Sequence, residues 1–153
     1  MLPLFQALHY RGEKKPRVEF YEGEEALARM FQTFDMGSER RFMASYAQIE
    51  RHFSSEFKRW QQRVKHLKTL APTKHILADD AVSRGFSRAA KGHAHFAFRF
   101  LPKGTDISMD LAIVDDVLAI TNFDPLSMVV IRSAELTRSA AILFDLAWMS
   151  ARK

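Results

Sequence analysis

Ser108 and Asp110 stand two residues apart in the stretch SMDLAIVDDVLAITNFDP, and Asp115 follows five residues later. Residues i and i+2 of a strand share one face. Such a pair is suited to phosphoryl transfer when the first residue is a nucleophile and the second is a cation that holds phosphate. Here the first slot carries a hydroxyl and the second a carboxylate. An ionised Asp110 repels a phosphate, so catalysis at this strand is expected to be lost. What remains is polar: Ser108, Asp110 and Asn122 are the candidate ligand-binding residues, and Asp115 is the aspartate of the tight turn that follows.

Other clusters carry weaker signals. His93 and His95 alternate on one strand face, and His75 is the nearest third ligand from another strand. Without a third histidine nearby in sequence, no metal site is expected. His66 and Lys68 repeat the two-residue spacing, with Thr73 in the aspartate position, but they lie at a basic helix end, where cations suit the helix dipole. Lys58, Arg59 and Arg63 form a basic helix face that offers contacts to nucleic acid, while Phe57 and Trp60 fall on its apolar side and belong to the core. No phosphate loop, dinucleotide fingerprint or nucleophile elbow is present. Neither an enzyme nor a cofactor is expected on these grounds.

These residues are positioned by a regular succession of elements. A short strand over 17–20 precedes a helix whose Leu27, Met30, Phe31 and Phe34 recur at helical spacing. A strand over 40–45 leads, through a Ser45 cap, into a long helix carrying Tyr46, Ile49, Phe53, Phe57, Trp60 and Val64, with a break near Ser54. Strands at 73–78, 93–101, 106–115, 116–122 and 127–133 follow, with a weak helix over 79–91. Ser133 caps a last helix on which Leu136, Ala140, Leu143, Phe144 and Ala147 make one broad apolar stripe. Alternating strands and helices, then a run of strands and a helix, indicate a central mixed β-sheet sandwiched by α-helices, an α/β single domain.

Totals agree with that reading. The chain has 153 residues, a length typical of one domain, and contains no cysteine. Its net charge of +5 and pI near 9.7 suit a polyanionic partner. Its longest apolar runs fall far short of the ~20 residues of a membrane span, so no membrane contact and a cytoplasmic location are expected.

Several stretches together resemble the effector domain of TrmB-type transcriptional regulators. KKPRVEFYEGEEALARMF resembles the segment that opens it, RRFMASYAQIERHF its next strand and helix, and LAIVDDVLAITNFDP and SAELTRSAAILFDLAWMSA its hairpin and closing helix. The resemblance covers about residues 14–153. It implies a phospholipase D-like fold in which the histidine and lysine of the catalytic strand are replaced, here by Ser108 and Asp110. Residues 1–13 resemble the end of the family's linker helix, with Leu4, Phe5 and Leu8 as its dimer and linker surface. It further implies a homodimer, a small-molecule effector such as a sugar, and DNA bound through a winged-helix domain that this chain does not include. Two other readings compete: an active phosphodiesterase or nuclease of the phospholipase D superfamily, and a stand-alone basic nucleic-acid-binding module.

Overall fold

A computed structural model describes residues 15–35, 37–64, 72–92 and 95–153. The expectations for Leu4, Phe5, Leu8, His66, Lys68 and His93, and for a separate 1–13 segment, lie outside the described residues.

All seven expected strands are present: β1 (Arg17–Glu22), β2 (Arg40–Ala44), β3 (Thr73–Leu77), β4 (Phe96–Phe100), β5 (Met109–Val114), β6 (Val117–Phe123) and β7 (Leu126–Arg132). They form one sheet in the order β1-β7-β6-β5-β2-β3-β4. The β2, β3 and β4 strands run parallel, joined by the helices α2 (Tyr46–Val64) and α3 (Ala81–Ala89). The β5-β6-β7 meander is antiparallel, and β1 closes its far edge. The edge at β4 is capped by Arg152, whose backbone exchanges two hydrogen bonds with Phe100.

Side-chain alternation assigns the two faces. Phe42, Ala44, Leu77, Ala112, Val114, Ala119, Met128 and Val130 point one way and meet α1 (Gly23–Phe34), α2 and α3. The expected stripe Met30, Phe31 and Phe34 is buried there, and Phe57 and Trp60 stack at 5.8 Å in the same core. Ile76 and Ile113 point the other way and meet α4 (Ala134–Ser150) through Phe144.

The broad stripe expected on α4 divides in two. Ala140, Phe144 and Ala147 pack on the sheet, but Leu136 and Leu143 face solvent. The helix is apolar almost all round, so the sequence period alone does not distinguish its inner from its outer side. Trp148 belongs to the inner side, where it stacks on Phe144 and lies under the Arg99 guanidinium.

Candidate functional site

The helices α2 and α3 both begin at the carboxyl ends of parallel strands, the edge at which open α/β sheets generally bind ligands. Their first turns are tied together. Ser45 Oγ accepts from the Gln48 amide, the cap that the sequence implies, and donates to Asp80 Oδ2 at 2.9 Å. Asp80 caps α3 by accepting from the Ser83 amide at 2.7 Å, and Ser83 Oγ accepts from the Tyr46 amide. The positive ends of two helix dipoles therefore meet at one edge of the sheet.

Beneath that edge lies a buried polar cluster. Tyr46 Oη and His75 Nδ1 are 2.8 Å apart. Burial, with the Arg40 charge nearby, pushes the His75 imidazole down to about 3, so it is neutral at pH 7. The Tyr46 hydroxyl is held well above its usual range by burial and by the neighbouring Asp110. Asp110 is only 1% exposed and stands opposite Thr121 across β5 and β6. Burial pushes its carboxyl up to about 8. Asp110 Oδ2, Thr121 Oγ1 and His75 Nε2 have no hydrogen-bond partner.

This geometry revises the electrostatic expectation at β5. At neutral pH Asp110 is a protonated acid, so it carries no charge to repel a phosphate. It is also enclosed, which removes it from direct contact with a ligand. Asn122 does not join it, because Asp110 faces Thr121 and adjacent residues of β6 point to opposite sides. The Asn122 amide donates instead to the Pro125 carbonyl. Ser108 is exposed just before β5.

Asp115 lies at the other end of β5, roughly 17 Å along the strand from Asp110 at 3.4 Å per residue. It occupies the two-residue turn to β6 at φ 48°. Its carboxylate accepts from the Ser38 hydroxyl and from the amides of Ser38 and Glu39. Burial opposes its charge, but these bonds outweigh burial and hold the carboxyl below its usual value. Asp115 therefore anchors a turn and has no part in the strand-edge site.

The basic face of α2 is partly neutralised: Arg63 pairs with Asp35 at 2.6 Å and Arg59 with Glu56 at 3.6 Å, leaving Lys58 exposed beside them. Among the described residues no group of three histidines or carboxylates is placed to hold a metal ion. His95 is half-buried beside β4, while His75 is enclosed. Among the described residues no helix is long and apolar enough to cross a membrane.

Sequence reasoning missed His52. It is exposed on α2 just before Phe53, whose φ of −140° and ψ of 51° break the helix close to the expected Ser54. The break lays the His52 ring on Phe123, at the end of β6, with ring centroids 5.9 Å apart. An imidazole thus stands at the strand edge, on a different element from the one that was expected to carry it. Only the break was visible in the sequence.

No family model and no curated protein matches the sequence. Solved structures do match, and they define a phospholipase D-like fold. Nuc from Salmonella typhimurium, a phospholipase D family member, matches over 90% of this chain and 97% of its own, with a TM-score of 0.65 and 16% identity. NucT from Helicobacter pylori matches over 90% and 99%, with a TM-score of 0.59 and 12% identity. TrmBL2, an archaeal chromatin protein, matches over 99% of this chain with a TM-score of 0.58 and 16% identity, and the chain spans 59% of its length. The expectation of a non-enzyme is corrected by this finding: the structures matched over almost their whole length, Nuc and NucT, are phospholipase D family nucleases.

Proposed function

We propose that the chain is a phosphodiesterase-type domain that acts on nucleic acid at the carboxyl edge of β2, β3 and β4. The observation that carries this reading is the fold match over 97% and 99% of the lengths of Nuc and NucT. Two features of the edge support it. The N-termini of two helices point there, and helix N-termini attract phosphate, although Asp80 already occupies the first turn of α3. His52 supplies an exposed imidazole, a group able to attack phosphorus or to protonate a leaving oxygen. In this reading Ser108 lines the rim, Asp110 stays neutral beneath it, and Lys58, Arg59 and Arg63 on the outer face of α2 meet the polyanion away from the reacting bond.

The test is hydrolysis of bis(p-nitrophenyl) phosphate and of end-labelled single- and double-stranded DNA by the whole chain. Turnover should fall by about a hundredfold or more in His52→Ala, with an unchanged unfolding transition because His52 is exposed. Absence of turnover by the intact chain, or full activity in His52→Ala, overturns the proposal.

A second reading is favoured by one observation, the match to TrmBL2 over 99% of this chain. Under it the domain is the effector-sensing part of a TrmB-like DNA-binding regulator, and a small molecule such as a sugar binds at the Ser108 rim. Thermal stabilisation by sugars together with absent phosphodiester turnover separates this reading from the first.

A further inference from the structure

One face of the sheet is covered by three helices and the other by α4 alone. The consequence is an apolar surface on the α4 side. Leu136, Ile142, Leu143, Leu146 and Met149 are between 45% and 75% exposed along the outer side of α4. Val18 and Phe20, on the same side of the sheet, are also exposed. Burying such side chains removes on the order of 100 Å² of apolar surface each, so the outer side of α4 presents a patch of roughly 300 Å². That is large for a surface facing water.

The pattern along the helix identifies what fits this patch. Its exposed seam consists of Glu135, Leu136, Ser139, Ile142, Leu143, Leu146, Met149 and Ser150. Place a two-fold axis between Ile142 and Leu143 and lay a second copy antiparallel. Every seam position then faces another seam position: Leu136 meets Met149, Ile142 meets Leu143, and Leu146 meets the small Ser139. Glu135 faces Ser150, next to the exposed Arg152 and Lys153, so opposite charges meet at both ends of the seam. A two-fold interface requires this self-complementarity, and an unrelated partner does not.

We propose that the outer face of α4 is an isologous antiparallel interface between two copies of this chain. The apolar area is small for a permanent dimer, so association is weak and depends on concentration. The interface lies on the opposite face of the sheet from α2 and α3, which leaves the strand edge and His52 of both copies open. The inference is therefore independent of the proposed reaction.

Sedimentation velocity of the whole chain across micromolar concentrations tests it. The expected result is a monomer–dimer equilibrium that Leu146→Glu weakens at least tenfold, with circular dichroism unchanged because the residue is exposed. Glu135→Lys should weaken it as well, and adding Arg152→Glu and Lys153→Glu should restore it. The chain contains no cysteine, so introduced thiols report the geometry. Ile142→Cys, beside the axis, should oxidise to a disulfide-linked dimer. Ser139→Cys alone should not, but paired with Leu146→Cys it should. A monomer at every concentration overturns the proposal. So does a dimer indifferent to Leu146→Glu, which points to another surface such as β1 with Val18 and Phe20.

Discussion

Replacing Asp110 by Asn tests the buried cluster through its pH dependence. The folded carboxyl titrates at about 8 and the unfolded one near 3.8. Between those values the unfolded chain has released its proton while the folded chain retains it. Stability therefore falls as pH rises across this window, by about 1.4 kcal/mol per pH unit and on the order of 5 kcal/mol in all. His75 acts in the opposite sense. Its folded value of about 3 lies below the usual 6.5, so stability falls as pH drops from 6.5 toward 3.

The two slopes overlap between about pH 4 and 6.5 and there cancel. For these two groups the wild-type profile is level in that range, and above it loses about 2 kcal/mol by pH 8 as Asp110 acts alone. Asp110→Asn removes only the aspartate slope. Urea unfolding followed by circular dichroism at pH 5, 6, 7 and 8 should show the variant gaining stability from pH 5 to 6.5 and holding it to pH 8. At pH 7 the relief of about 4 kcal/mol is offset by burying an amide without partners, which costs about 1–3 kcal/mol. The slope is the decisive quantity, because it does not depend on that offset. A variant that loses as much stability as wild type between pH 6.5 and 8 refutes the assignment of a neutral Asp110.

Other perturbations read different parts of the fold. At Gly37, φ is +80° and an added Cβ would lie 2.3 Å from Val114 Cγ1 and 2.8 Å from Asp115 Oδ2. Gly37→Ala should therefore cost about 1–3 kcal/mol in urea unfolding. Asp115→Ala removes three acceptor contacts to Ser38 and Glu39 and should lower stability by about 1–2 kcal/mol, while leaving hydrolysis per folded molecule unchanged. Phe57→Ala opens a cavity between Tyr46 and Trp60 and should cost about 3–5 kcal/mol, seen as a drop in Tm.

The strand pattern was legible because β-branched and aromatic residues alternate with turn signals, and the two-residue turn at Asp115 and Asp116 fixed the β5–β6 register in advance. The core face of α1 was legible for a similar reason, since Met30, Phe31 and Phe34 recur at 3.6 residues against polar neighbours. What the sequence withheld is three-dimensional. Ser108 and Asp115 are seven residues apart in one strand-and-turn unit, and a linear motif groups them. An extended chain places them at opposite ends of the sheet.

The charge on Asp110 was misread for a related reason, because its protonation state follows from the depth at which the sheet places it. His52 gave no signal because its role depends on a helix break that sets it against β6, far away in sequence. A phospholipase D-like sheet can therefore lose the histidine of its catalytic strand and still present an imidazole at the same edge. For this fold, the presence of chemistry is decided by which side chains the strand edge gathers, and a missing strand motif is not by itself evidence of an inert domain.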